Sequence, residues 1–169
     1  MKHQRILEQL VEEEKKNPNT SGVLVYGSVA SGTQREDSDL DVFLVYREHK
    51  PSSGLYDVQV EGIKVGRTFF TYDVLAESVD SVPCLLHMVG RAKLLLDRYG
   101  TIQPLLAAIN KYFETNSELE AEWRRINDRL KEEKREFGCE QTTIIEVWND
   151  LERRYSGGAP KRTFFTYFG

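Results

Sequence analysis

The stretch that decides the fold runs from Tyr26 to Tyr46 and reads YGSVASGTQREDSDLDVFLVY. A Gly-Ser pair stands at the end of one apolar segment, and the aspartates of DSDLD stand at the start of the next. Neighbouring carboxylates repel one another, and such a cluster costs stability unless positive charge lies among them. The stretch therefore predicts a site in which a metal ion, an arginine or only water lies between the carboxylates.

Asp39 and Asp41 are two residues apart at the start of the segment 40–46, LDVFLVY, which is typical of a strand buried on both faces. Side chains two apart in a strand point to the same face, so the two carboxylates converge. Paired carboxylates on a rigid strand suit a hard divalent cation, Mg²⁺ or Mn²⁺, with phosphate oxygens and water as its further ligands. Asp37 precedes the strand and favours a turn or a salt bridge with Arg35.

Gly27 and Ser28 follow the apolar strand predicted at 22–26 and begin a short helix. Glycine lets the backbone approach a ligand closely, and N–H groups at a helix N-terminus favour phosphate. The Ser28 hydroxyl adds a donor, or it simply caps the helix. Together with the aspartates, this pair predicts a metal-chelated nucleoside triphosphate as the ligand.

Composition limits the class of protein. The 169 residues allow one domain or one domain with a helical appendage, and 40% hydrophobic content is enough to bury a core. No apolar run reaches the length of a membrane span, the N-terminus has no signal-peptide core, and Cys84 and Cys139 match no disulfide framework or zinc site. We therefore expect a cytoplasmic protein without a membrane partner. A net charge of −4 argues against a broad grip on nucleic acid, though not against binding one nucleotide.

The apolar spacing predicts an α+β chain, with an α/β domain at 1–98 and a helical C-terminal region with a flexible tail at 99–169. The run at 92–97 is either a last strand or the end of a buried helix. A turn at Glu61-Gly62 joins two strands in a hairpin. The remaining predicted elements are helices at 2–16, 81–90, 101–114 and 117–137, a helix near 144–155, and strands within 55–72.

The sequence RTFFTY occurs at 67–72 and again, unchanged, at 162–167. One interpretation is coincidence between two β-prone segments. The other is that the tail forms a strand that pairs with a sheet edge of its own chain or of a neighbour, which would make a homo-oligomer. The sequence leaves both open.

The stretch GSVASGTQREDSDLDVFLV resembles the signature of the DNA polymerase beta-like nucleotidyltransferase superfamily, which includes small antibiotic nucleotidyltransferases and minimal nucleotidyltransferase antitoxins. The resemblance implies a mixed β-sheet with flanking helices, followed by an α-helical C-terminal region. It implies that Gly27 and Ser28 hold the β- and γ-phosphates, and that Asp39 and Asp41 are catalytic residues that hold Mg²⁺ for an in-line displacement at the α-phosphorus.

Lys64 and Arg67 lie on the strand that should pass this site, and we name both as candidates for binding the triphosphate. The alternative is that they lie on a solvated strand face. His3, His49 and His87 are scattered along the chain, and none of them is predicted to be a catalytic base.

The sequence departs from the family at one position. The family carries a third carboxylate in a G-x-x-V-[DE] context, and the matching stretch GIKVGRTFF has Gly66 there. Three explanations compete. A shifted acid, Glu61, Asp57 or Asp73, could replace it; the protein could bind metal and nucleotide with two carboxylates and turn over slowly or not at all; or the strand could be misaligned.

Two functions follow. The first is a Mg²⁺-dependent nucleotidyltransferase that moves NMP, with ATP as the favoured donor, onto a hydroxyl or phosphate of a small molecule or protein. The second is a weakly catalytic or non-catalytic nucleotide-binding module, such as an antitoxin-like partner of a helical toxin. Gly66 favours the second function. The helical C-terminal region favours the first, because helices beside the site can shape a pocket for the acceptor, whose identity the sequence does not reveal.

Overall fold

The structure is a computed structural model that describes residues 2–48, 55–73, 75–76, 89–118, 121–122, 124–125 and 128. Its described elements form a mixed five-stranded sheet with flanking helices, which confirms the α+β prediction. In chain order they are α1 (Lys2–Lys16), β1 (Thr20–Tyr26), α2 (Gly27–Ser31), β2 (Leu40–Tyr46), β3 (Leu55–Val60), β4 (Ile63–Thr71), β5 (Lys93–Asp97) and α3 (Ile102–Thr115).

The strand order is β3-β4-β2-β1-β5. Strands β2 and β4 are parallel, and every other neighbouring pair is antiparallel. The run at 92–97, which the sequence left undecided, contains a strand that pairs with β1. Because β2 and β4 run side by side in the same direction, the start of β2 lies beside the start of β4. This arrangement brings Asp41, at the start of β2, beside Gly66, near the start of β4.

The hairpin between β3 and β4 turns at Glu61 and Gly62, as predicted. Both residues have positive φ, 52° and 80°, which is the requirement of a type I′ turn. Glycine adopts this conformation freely, whereas glutamate rarely does. Two side chains of α1 hold Glu61 in place: Arg5 pairs with its carboxylate, and Lys2 Nζ donates to its carbonyl oxygen at 3.3 Å.

Helix α1 covers one face of the sheet. Its buried stripe contains Ile6, Leu7 and Leu10, which pack with apolar side chains of β1, β2 and β4 such as Val25 and Val42. The C-terminal carbonyls of α1 are bound by a side chain that follows β5: Arg98 donates to the carbonyls of Glu14, Lys15 and Asn17 at 2.8–3.2 Å. A cation at this end of a helix is favourable because it meets the negative end of the helix dipole.

Helix α3 buries a second apolar stripe, which consists of Ile102, Leu106, Ile109 and Phe113. Asp97, at the end of β5, accepts hydrogen bonds from the backbone N–H groups of Thr101, Ile102 and Gln103 at 3.0–3.1 Å. This carboxylate satisfies three N–H groups at the start of the helix that have no partner within it.

Several predictions lie largely or wholly outside the described residues: the helices at 81–90, 117–137 and 144–155, and the second RTFFTY in the tail. The division into domains at residue 98 stays a prediction. Within the described residues, no helix combines the length and apolarity needed to cross a membrane.

Candidate active site

Four neighbouring strands each place one residue in a row across the sheet. Register pairs Tyr26 of β1 with Asp41 of β2, Asp41 with Gly66 of β4, and Gly66 with Asp57 of β3. Directly paired residues point to the same face of a sheet. The row therefore brings two carboxylates to one face with a glycine between them.

The carboxylate of Asp41 lies between two glycines. A Cβ built on Gly27 would lie 2.9 Å from Asp41 Oδ2, and a Cβ built on Gly66 would lie 3.0 Å from Asp41 Oδ1. The first distance is shorter than Cβ atoms show in proteins and the second is tighter than most, so a side chain at either position would require the carboxylate to shift. Gly27 also has a φ of 70°, which larger residues rarely adopt. The two glycines thus make the room that Asp41 occupies.

The surroundings of Asp41 disfavour its charge. Burial raises the pKa of this carboxyl, and the neighbouring Asp39 raises it further, while Lys64 opposes the shift. Within the described part of the chain, no donor forms a hydrogen bond with either oxygen of Asp41. The carboxylate is therefore half-buried beside another carboxylate, and a cation above the sheet would relieve it.

A lysine brings positive charge to this face. Lys64 Nζ forms an ion pair with Asp57 Oδ2 at 3.0 Å, and the charges of Asp57, Asp39 and Asp41 all raise its pKa. Lys64 is two residues before Gly66, so strand alternation places both on the same face. The structure thus brings Lys64 to the carboxylates, as the sequence predicted, although its direct partner is Asp57.

Arg67 does not join them. It is paired with Val42, whose side chain is in the core beneath α1, and it lies close enough to Tyr46 on that face to affect the pKa of the tyrosine. Strand alternation sends Arg67 to the face opposite Lys64. Of the two basic residues of β4 that the sequence names for nucleotide binding, the structure therefore brings Lys64 to the aspartates and does not bring Arg67 there.

Asp39 is exposed at the end of a turn that precedes β2. A buried histidine holds this turn: His3 of α1, which is 5% exposed, lies with Nε2 2.8 Å from the carbonyl oxygen of Ser38. Since a carbonyl can only accept, Nε2 carries the proton. The Ser38 hydroxyl accepts from Arg35 N at 2.8 Å, and Arg35 Nε bonds Asp37 at 3.2 Å as expected. Asp37 therefore belongs to the turn.

Tyr26 lies next to Asp41 on the β1 side of the row. Its ring stacks on Phe43 with the ring centroids 4.1 Å apart and nearly parallel planes. Burial raises its pKa to about 12, with a further contribution from Asp41. Ser28 follows Gly27 in the first turn of α2 and is half-buried. The end of β1 and the start of β2 therefore supply most of the predicted site.

The three candidates for a replacement acid have different locations. Glu61 is in the hairpin turn and pairs with Arg5. Asp73 lines a cleft of about 400 Å³ with Arg47, Tyr99 and others, beyond the C-terminal ends of β2 and β4. Asp41 lies near the N-terminal end of β2, so this cleft is at the opposite ends of β2 and β4 from Asp41. Of the three, only Asp57 lies in the row with Asp41: its Oδ1 would be 3.4 Å from a Cβ built on Gly66.

Residues 8–98 match the sequence model of the family described as polymerase beta, nucleotidyltransferase. The chain belongs to this family. This confirms the resemblance seen in the sequence and supports a nucleotidyltransferase-type function. A search of curated proteins found no match.

A crystal structure of a nucleotidyltransferase-like protein from Exiguobacterium sibiricum 255-15 is similar in fold, with a TM-score of 0.51 at 15% identity. The alignment covers 95% of this chain and 60% of the Exiguobacterium chain. The chain thus spans about three fifths of the length of that neighbour. At this identity the likeness concerns the fold.

Within the described residues, no three His, Cys, Asp or Glu side chains are arranged to hold a metal ion by themselves. The donors at this point nevertheless fit a hard divalent cation, because Asp41 offers carboxylate oxygens from the start of β2 and Asp39 offers them from the turn just before it. An ion there would need further oxygens from water or from a phosphate.

Sequence reasoning missed two residues of the site. The sequence offers no reason to make His3 a catalytic base. Its spacing to Ile6, Leu7 and Leu10 nevertheless follows the buried stripe of α1 and predicts that it is buried. Tyr26 was counted as the last apolar residue of β1. Its register against Asp41 could not be read from the sequence, because strand pairing is a long-range property.

Proposed function

We propose that the protein is a Mg²⁺-dependent nucleotidyltransferase that transfers NMP, with ATP as the favoured donor, onto a hydroxyl or phosphate of a small-molecule or protein acceptor. In this proposal, Asp39 and Asp41 bind the metal ion, and Gly27 and Ser28 bind the β- and γ-phosphates. Lys64 neutralises part of the remaining negative charge of the triphosphate.

One observation carries the proposal. The Asp41 carboxylate lies between Gly27 and Gly66, half-buried beside Asp39, without a hydrogen-bond donor among the described residues. Burying a charged group in this way is costly unless a cation compensates it. A carboxylate kept under such conditions, in a chain of this family, is explained by a ligand that brings positive charge.

The donor set fits Mg²⁺ in the way the family uses it. A divalent ion bound there would polarise the α-phosphate and neutralise charge that develops on the leaving pyrophosphate. The two aspartates orient the donor nucleotide, and the backbone of Gly27 can approach the phosphates because it lacks a side chain. Half-buried surroundings strengthen these electrostatic contacts.

A nucleotide-binding module with little or no catalysis is the second candidate. The observation that favours it is Gly66, which occupies the place beside Asp41 where the family carries a carboxylate. Such a module would bind ATP and Mg²⁺ through the same residues and would act through a partner protein.

Thermal unfolding with ATP and Mg²⁺ tests the site. A ligand that binds only the folded protein stabilises it by about 2.7 kcal/mol at a hundredfold excess over its Kd. We expect this increase for the wild type and its loss in Asp39→Asn/Asp41→Asn. Asp37→Asn is the matched control, because it removes the third aspartate of DSDLD outside the proposed ligand set, and it should keep the increase.

The outcomes separate the candidates. If the wild type does not respond to any nucleoside triphosphate with Mg²⁺ or Mn²⁺, both forms of the proposal fail. If it responds and also releases pyrophosphate, the enzyme is supported. If it responds and releases none, the binding module is the better account.

A further inference from the structure

Transfer onto a hydroxyl requires a group that takes the hydroxyl proton as the oxygen attacks phosphorus. In the proposed function, Asp39 and Asp41 are occupied by the metal ion. Asp57 is a third carboxylate on the same face, and the proposed function gives it no role. Its side chain is 57% exposed, so an incoming acceptor can reach it.

The position of Asp57 depends on the glycine in the neighbouring strand. Gly66 separates β2 from β3 at this point, and a Cβ there would lie within 3.0 Å of Asp41 Oδ1 and 3.4 Å of Asp57 Oδ1. Because Gly66 carries no side chain, no side chain at this position of β4 lies between the carboxylates of Asp41 and Asp57. A larger residue would separate them and cover the surface between them.

We propose that Asp57 is the general base of this site, supplied by β3 across the gap at Gly66. This inference rests on the proposed function. Asp57 would accept the proton of the acceptor hydroxyl while the hydroxyl oxygen forms a bond to the α-phosphorus. The bond between the α-phosphorus and the bridging oxygen of pyrophosphate breaks, and pyrophosphate leaves with that electron pair.

The ion pair with Lys64 determines when Asp57 is available. In the free protein the ammonium bonds Asp57 Oδ2 at 3.0 Å and so occupies one oxygen of the carboxylate. A bound triphosphate carries more negative charge than one carboxylate and competes for the same ammonium. Movement of Lys64 onto the phosphates frees Asp57 at the moment when a donor nucleotide is present.

The test uses the full chain and two measurements. Thermal shift with ATP and Mg²⁺ measures binding, and pyrophosphate release under single-turnover conditions, with water and with glycerol as acceptors, measures chemistry. We expect Asp57→Asn to keep the wild-type thermal shift and to slow pyrophosphate release about 10²- to 10⁴-fold, the usual contribution of a general base. In steady-state assays the loss should lie in kcat, with the KM for ATP unchanged or lower.

Two further variants make the test specific. Glu12→Gln removes an exposed carboxylate of α1 that pairs with Lys15 away from the site, and it should leave the rate unchanged. Asp57→Glu keeps a carboxylate at the same position of β3, and it should recover at least tenfold over Asp57→Ala. A merely structural role for Asp57 would not produce this recovery.

Failure of the inference is distinct from failure of the proposed function. A wild type without a thermal shift overturns the proposed function. A wild-type shift combined with an unchanged rate in Asp57→Asn overturns the role of Asp57 and leaves the function standing. A wild type that binds ATP and Mg²⁺ but releases no pyrophosphate to either acceptor also overturns it, because a positioned base should activate water.

Discussion

At the scale of the residue, Asp41 shows a conflict between binding and stability. Its carboxylate is half-buried between two glycines and next to Asp39, and both burial and the like charge raise its pKa. Folding therefore makes the ionisation of this carboxyl less favourable than in the unfolded chain, and a bound cation would relieve this cost. A residue selected only for stability would not be charged at this position.

The first prediction concerns this conflict. Asp41→Asn should raise the thermal stability of the metal-free protein at pH 7, because it removes a charge that the fold disfavours. The sign follows from linkage: a carboxyl whose pKa is raised in the folded state binds its proton more readily there, so stability is present below its ordinary value of 3.8 and is lost as pH rises through the folded value.

The advantage of Asp41→Asn over the wild type should consequently grow as pH rises from about 3.8 toward 7, in thermal unfolding with EDTA present. Asp37→Asn, at an exposed position that pairs with Arg35, is the control, and it should not raise the stability of the metal-free protein. A wild type that is more stable than Asp41→Asn at pH 7 without metal would show that the carboxylate is compensated within the protein.

The residues of the site were predictable to different degrees. Asp41 at the start of β2 and the Gly-Ser pair at the end of β1 follow from local sequence patterns, whereas Asp39 lies in the turn just before β2 and not in the strand itself. Lys64 and Arg67 are three residues apart on one strand, so alternation places them on opposite faces and only one of them can face the aspartates; which one does so depends on the strand pairing. The relation of Asp57 to Gly66 was one of three open alternatives and required the observed pairing of β3 with β4.

At the scale of the element, α1 supports the site as well as the core. Its first turn carries His3, whose ring nitrogen bonds the carbonyl of Ser38 in the turn that leads to Asp39. Its Arg5 and Lys2 hold the hairpin turn at Glu61. The helix therefore connects the turn before β2 with the hairpin that carries Asp57 and Lys64.

We predict that His3→Ala weakens both stability and binding. The hydrogen bond from the buried His3 to the carbonyl of Ser38 is partly buried, and losing it together with the packing of the imidazole should cost about 1–3 kcal/mol in the free energy of unfolding. The turn that carries Asp39 should also become less ordered, so the thermal shift with ATP and Mg²⁺ should shrink. Urea titration and thermal shift measure the two effects.

The matched control is Gln4→Ala, on the exposed side of the same turn of α1, which removes only a hydrogen bond to Glu8. It should change stability by less than about 0.5 kcal/mol, as surface substitutions usually do. A His3→Ala protein that loses stability but keeps the full thermal shift would limit His3 to a role in folding.

At the scale of the whole molecule, the question is whether the sheet and α3 form one cooperative unit. The apolar spacing of the sequence predicts a division at residue 98, with a helical region after it. The family match also ends at residue 98. In the structure, residues before and after residue 98 contact each other. Asp97 caps the start of α3, and the apolar stripe of α3 is buried, with Ile102 and Ile109 fully inaccessible.

We therefore predict that Ile109→Ala destabilises the sheet as well as the helix. Shortening a fully buried isoleucine to alanine costs about 2–5 kcal/mol, a large fraction of the 5–15 kcal/mol that stabilises a typical domain. If the unit is cooperative, amides of β1 and β2 should exchange faster by a factor that corresponds to the same loss. Hydrogen exchange followed by mass spectrometry of peptides from these strands measures it, with the exposed Lys111→Ala as the control. Unchanged protection of β2 alongside faster exchange in α3 would instead show that the α/β half is stable independently of the helix, as the division at residue 98 predicts.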